Sequence, residues 1–266
     1  MVVINSINKL GSLYSDQGRL PEAEAMYKRA LQGKEKALGP DHPSTLATVN
    51  NLGNLYSYQG RLPEAEAIFQ RALQGREKAL GPDHPSTLAT VNNLGLLYRN
   101  WGRLLEAEVI FQQALQGREK ALGPDHPSTL ATVNNLGNLY SYQGRLLEAE
   151  VIFQRALQGR EKALGPDHPS TLATVNNLGN LYSYQGRLPE AEAIFQRALQ
   201  GREKALGPDH PSTLATVNNL GILYRDQGRL PEADTIFQRA LQGRKKALGP
   251  DHPSTLATGS RPATGG

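Results

Sequence analysis

The same 42 residues recur almost without change along this chain. His42, His84, His126, His168, His210 and His252 stand one period apart, each followed by Pro-Ser-Thr-Leu-Ala-Thr. Residues 43–84 and 169–210 are identical at all 42 positions, and residues 127–168 differ from them only at Leu147 and Val151. A period near 40 describes one supersecondary unit stacked on copies of itself, so the chain has no single globular core and each unit meets only its neighbours.

Within residues 43–84, Asp41-His42-Pro43 is a helix start: proline suits the first helical position and pushes the residue before it out of helical geometry. Either Asp41 or His42 can cap the free amides that follow. Leu46, Val49, Leu52, Gly53 and Tyr56 then form one helical face, and Gly60 ends the helix in left-handed geometry. A second helix is predicted from about Leu62 to Leu80, with Leu62, Ala65, Ile68, Phe69, Ala72, Leu73 and Leu80 as its stripe and Gly81-Pro82 as its stop. The short link Gln59-Gly60-Arg61 forces the two helices antiparallel. Gly53, mid-helix, reads as a point of close approach to Ala65 and Ala72. The repeated Gly75 (Gly33, Gly117, Gly159, Gly201, Gly243) has no evident reason in the pattern beyond a bend. One pair cannot cover its own apolar faces, so the predicted fold is an all-α, right-handed solenoid of six antiparallel helix pairs. It has units of about 1–42, 43–84, 85–126, 127–168, 169–210 and 211–252, a partial seventh at 253–258, and a disordered tail at 259–266.

Composition excludes several classes. No apolar run approaches the roughly 20 residues of a membrane helix, and the start at Met1-Val2-Val3-Ile4-Asn5 is not a signal peptide. With no cysteine there is no disulfide framework, thiolate metal site or cysteine nucleophile, and a cytoplasmic location fits. The net charge of +4 comes from scattered positions such as Lys9, Lys245 and Arg261. Within each unit Arg61, Arg71, Arg76 and Lys78 balance Glu64, Glu66, Glu77 and Asp83, so no basic stripe for nucleic acid forms. The six histidines belong to helix starts and stand one unit apart, too dispersed to share a metal ion. Six copies of an acid–base pair on a solenoid rim, without a pocket, do not describe an enzyme. No cofactor, metal or catalytic residue is expected.

Val49-x-x-Leu52-Gly53-x-x-Tyr56, followed by Ala65-x-x-x-Phe69 and Ala72, resembles the tetratricopeptide repeat. Val49 stands where that family often has tryptophan, and Glu77 where it closes with proline. The longer unit, joined by Arg76-Glu77-Lys78-Ala79-Leu80-Gly81-Pro82-Asp83-His84-Pro85, resembles the kinesin light chain subtype. Arrays of that subtype also occur C-terminal to signalling NTPases of the NOD-like type. This chain has no G-x-x-x-x-G-K-[ST] phosphate loop and would be only the array. The resemblance implies protein or peptide binding along a concave groove lined by the arc of the first helix next to the core arc.

On a helical wheel that arc holds Ala47, Asn50, Asn54, Ser57 and Tyr58. Peptide-binding positions of the family match Asn50, Asn54 and Tyr58; Asn92, Arg99 and Asn100; Asn134, Asn138 and Tyr142; Asn176, Asn180 and Tyr184; and Asn218 and Arg225. Across the five full copies the first helices differ at four places only, and three of these lie on this arc: Asn54 becomes Leu96 or Ile222, Ser57 becomes Arg99 or Arg225, and Tyr58 becomes Asn100 or Asp226. The fourth change, Gln59 to Trp101, falls by the turn, where packing and binding are equally open. A ladder of Asn8, Asn50, Asn92, Asn134, Asn176 and Asn218 could both donate to and accept from an extended peptide backbone. The tyrosines could add apolar contact, and the arginines could meet acidic side chains. RNA-reading helical repeats bind through basic faces, which these neutral units lack.

Met1 falls where Pro43 falls one period later, and Leu220, Phe237, Leu241 and Leu248 belong to a last pair without a full neighbour. Solenoids need polar caps. The array is therefore expected either to be the sensor or scaffold part of a longer protein, with an NTPase as one candidate, or to stack head to tail with other copies as a structural scaffold.

Overall fold

The computed structural model describes residues 1–249 and 253–258. They fall into two compact units, Met1–Gly123 and a second that begins at Pro124. The first holds α1 (Val2–Asp16), α2 (Leu20–Leu38), α3 (Pro43–Tyr58), α4 (Leu62–Leu80), α5 (Pro85–Asn100) and α6 (Leu104–Leu122). The second holds α7 (Pro127–Tyr142), α8 (Leu146–Leu164), α9 (Pro169–Tyr184), α10 (Leu188–Leu206), α11 (Pro211–Asp226), α12 (Leu230–Leu248) and the short α13 (Pro253–Leu256). The fold is all-α: each unit stacks three antiparallel pairs, and each second helix also packs on the first helix of the next pair in its unit. The predicted Asp251-His252 start and the tail 259–266 lie outside the described residues.

The histidine makes the helix start. His42 has extended geometry, and its Nδ1 accepts from the Ser44 amide at 3.1 Å; His84, His126, His168 and His210 repeat the bond. Thr45 adds a second tie, its Oγ1 donating to the Gly39 carbonyl at 2.9 Å. Asp41 is not the cap; it accepts from Lys78 of the following pair at 2.8 Å. The predicted ends also form. Gly60 has φ +73°, with Gly60 N–H donating to Ser57 and Arg61 N–H to the Tyr56 carbonyl, which satisfies carbonyls the helix leaves open.

Both recurrent mid-helix glycines have a packing cause, and in neither case is it the expected one. A methyl group on Gly53 would come within 2.8 Å of the Phe69 ring, so this glycine admits the phenylalanine rather than a close approach to Ala65 or Ala72. A methyl on Gly75 would reach 2.6 Å from a Leu46 methyl, so it receives the leucine of its own pair, inside a helix that runs unbroken from Leu62 to Leu80. Burial on the first helix is also wider than the predicted arc. Thr45, Thr48, Asn50 and Leu55 are buried beside Leu46, Val49, Leu52 and Tyr56, because α3 is covered by α2 as well as α4.

Gly179→Ala and Gly201→Ala test this packing. Alanine favours a helix by about 1 kcal/mol over glycine, but the new methyl would lie 2.6 Å from Phe195 or Leu172. Overpacking of this kind costs about 1–3 kcal/mol. Each variant is expected to lower the urea midpoint; a rise in either would refute the packing account of that glycine.

Candidate functional site

Apart from the half-buried Asn8, the asparagine ladder is buried and built into the junctions between pairs. Asn50 is 9% exposed; its Oδ1 accepts from Thr90 Oγ1 at 3.4 Å and from Asn93 Nδ2 at 3.2 Å. In the second unit Asn134 accepts from Thr174 and Asn177 at 3.1 and 3.3 Å, and Asn176 from Thr216 and Asn219 at 3.0 and 3.3 Å. Asn8 accepts from Thr48 at 3.0 Å. The amide oxygens of the ladder are therefore already used. The Nδ2 atoms of Asn50, Asn134 and Asn176 have no acceptor among the described residues.

The threonine of each junction is held in turn by a buried cation. Arg76 Nη1 donates to the Ser86 carbonyl at 2.7 Å and to Thr90 Oγ1 at 2.6 Å; Arg160 and Arg202 repeat both bonds, and Lys34 takes the same place in the first pair. Burial pulls the guanidinium groups of Arg160 and Arg202 down to about 10, so both stay charged at neutral pH. Residue type does not separate these buried arginines from the more exposed Arg71 and Arg61. Their cue is positional: each lies one turn before the Gly-Pro join and follows the glycine that lets the helices close.

The remaining predicted residues divide by exposure. Tyr58 is 78% exposed and Tyr142 is 42% exposed, while Tyr184 is half-buried. Asn54, Asn138 and Asn180 are half-buried and Asn100 is exposed. Asn92 and Asn218 are buried like the rest of the ladder. Arg99 is buried too and donates to Asn100 Oδ1 at 3.0 Å, whereas Arg225 is exposed and lies 3.4 Å from Asp226. Ile222, at the Asn54 position, is buried and belongs to the packing. Trp101 is half-buried with Arg103 over its ring at 5.0 Å.

A second cluster binds each first-helix end to the preceding pair. Glu24 accepts from Tyr56, Gln59 and Arg61, and the Arg61 guanidinium lies 4.0 Å over the Tyr56 ring. Glu150 and Glu192 are held in the same way by Gln185 with Arg187 and by Gln227 with Arg229. No group of three or more histidine or carboxylate side chains able to hold a metal forms among the described residues. No helix there is long and apolar enough to cross a membrane.

The sequence model of the tetratricopeptide repeat matches in overlapping segments, 3–78, 45–120, 92–162, 131–204, 173–246 and 214–258. The chain belongs to the tetratricopeptide repeat family. Its repeats are of the kinesin-light-chain-like kind. They are similar to the crystal structure of nearly identical TPR-like repeats from a Podosopora anserina protein described as a kinesin light chain, with 29% identity over 77% of this chain and 97% of that one, and a TM-score of 0.63. BtubC (BKLC) from P. vanneervenii shares the fold at 23% identity, 88% and 94% coverage and a TM-score of 0.70. The apo form of RapI does so at 15% identity, 92% and 84% coverage and a TM-score of 0.68. No curated protein matches the chain. Tetratricopeptide repeats are generally non-catalytic protein-interaction modules, and membership of the family supports an interaction role for this array.

The glutamate clusters set a pH dependence. Burial works to raise the Glu24 carboxyl, but hydrogen bonds from Lys28, Gln59 and Arg61 outweigh it and hold it down at about 2; Glu150 and Glu192 are lowered for the same reasons. A lowered carboxyl stabilises the fold above the unfolded value and loses that contribution as pH falls toward the folded one. The melting temperature is expected to fall as pH drops from about 4.5 toward 2. The triple change Glu24→Gln, Glu150→Gln and Glu192→Gln should flatten that fall, and an unchanged slope would contradict the assignment.

Proposed function

We propose that this array is a non-catalytic adaptor that binds an extended or short helical peptide along the face formed by its first helices, as the sensor or scaffold part of a larger assembly. The observation that carries this reading is Tyr58. It stands in the last turn of a first helix, 78% exposed, where the packing makes no use of it. The repeats change at this position, to Asn100 and Asp226, while Leu46, Val49, Leu52, Gly53 and Tyr56 recur unchanged in every full copy. Large exposed aromatics of this kind bring apolar area and little side-chain entropy to an interface.

The ladder supports the same reading with a narrower chemistry. Its oxygens are committed, so Asn50, Asn134 and Asn176 offer amide donors to the carbonyls of a bound backbone. Each such bond contributes about 0.5–1.5 kcal/mol net. Because the junction network fixes these side chains before a ligand arrives, little ordering entropy opposes binding. Arg225 and Asn100 would supply sequence preference at the exposed ends of their helices.

A peptide-display selection on the intact chain supplies the ligand. The triple change Tyr58→Ala, Tyr142→Ala and Tyr184→Ala is expected to weaken a selected peptide roughly tenfold or more while leaving helicity unchanged. Gln70→Ala with Gln196→Ala, on exposed second-helix faces, should have no effect. Failure to enrich any peptide, or equal binding by the tyrosine variant, would defeat the proposal.

A further inference from the structure

Three of the four junctions inside the units are closed by charge as well as by packing; in the fourth, between α4 and α6, Gln113 stands where the others have the arginine. Glu35 of α2 pairs with Arg71 of α4, Glu161 of α8 with Arg197 of α10 at 2.5 Å, and Glu203 of α10 with Arg239 of α12. The carboxylate always lies on the earlier second helix and the arginine on the later one. One period after Glu203, on α12, the residue is Lys245. It is exposed, and no ion pair reaches it among the described residues. One period before Arg71, on α2, stands Arg29, also exposed and without such a partner.

The outer face of α1 is otherwise shaped to receive a preceding pair. Leu13 is 51% exposed, whereas Leu55, its equivalent one period on, is 1% exposed. Two copies of this chain meeting head to tail would cover that face with α12. The same register would set Lys245 against Arg29, a like-charge contact where those three junctions have an ion pair. We propose that Lys245 is a specificity-determining residue that keeps copies of this chain from joining end to end. The short α13 reinforces the block. It already sits on α12 in the register of a following first helix, with Thr255 donating to the Gly249 carbonyl at 2.9 Å and Arg244 to Thr258 at 3.0 Å. A helix of this length is marginal by itself and would be displaced by the longer α1, so the charge is the deciding element.

Sedimentation velocity over a concentration series tests this by charge exchange in the full chain. The unmodified protein should stay monomeric to high micromolar concentration. Lys245→Glu restores the internal pairing against Arg29, and Arg29→Glu restores it with reversed polarity against Lys245. Each is expected to raise end-to-end association roughly tenfold, and the gain should fade in about 0.5 M salt. The double variant, with like carboxylates, should return to monomer. Association of the unmodified chain would overturn the proposal, as would a folded single variant that stays monomeric or a double variant that associates.

Discussion

The buried cation at each junction is what the other features depend on. Arg76 reaches out of α4 to the Ser86 carbonyl and the Thr90 hydroxyl of α5, and Thr90 donates onward to Asn50 of α3. Three helices from two pairs are thereby joined through a single hydroxyl. A buried guanidinium without a carboxylate partner is costly; the two Nη1 bonds, of a kind that contributes about 1.5–3 kcal/mol each, offset that cost, while Nε of Arg76, Arg160 and Arg202 finds no partner among the described residues. The register of one pair on the next is therefore set by polar geometry and not by apolar contact alone. An apolar stripe of leucines tolerates sliding; a threonine that must accept from an arginine and donate to an asparagine does not.

This arrangement explains the small residues around it. Gly75 lies immediately before Arg76, and its missing side chain leaves room for Leu46. The helices can thus approach closely enough for the arginine to cross to the next pair. Gly53 does the same for Phe69. Each glycine gives up about 1 kcal/mol of helix propensity, and in both places the return is a large side chain filling the space a methyl would take.

The helical wheel made much of this legible and concealed a particular part. The helix bounds at Leu62 and Leu80, the left-handed Gly60 and the antiparallel pair follow from proline, glycine and apolar spacing, which are local signals. Asn50 could not be assigned that way. Its place on the wheel beside the core made it a groove residue free to donate and accept, but its oxygen belongs to Thr90 and Asn93, 40 and 43 residues away. The wheel describes one helix, whereas burial of α3 is decided by three others. Arg99 was hidden for the same reason: a charged residue on the predicted groove arc, buried in the fold. Asp41 and His42 were indistinguishable as caps until Lys78, from the following pair, took the aspartate. For Asn50 and Asp41 the deciding partner sat in the neighbouring repeat; for Gly53 and Gly75 it was Phe69 and Leu46 of their own pair.

That division has a functional consequence. The residues tied into junctions cannot change without disturbing two pairs at once, whereas the last turn of the first helices varies from copy to copy. Tyr58, Asn100, Tyr142, Tyr184 and Asp226 occupy one variable position, in the last turn of successive first helices. The ladder beneath is fixed in place by the same bonds that hold the repeats in register. Under the proposed function a bound backbone would meet donors at a spacing the fold dictates, and these last-turn residues would choose among sequences. Under the proposed reading the asparagine would serve stability and recognition together, with its oxygen turned to the neighbouring repeat and its nitrogen offered to a ligand.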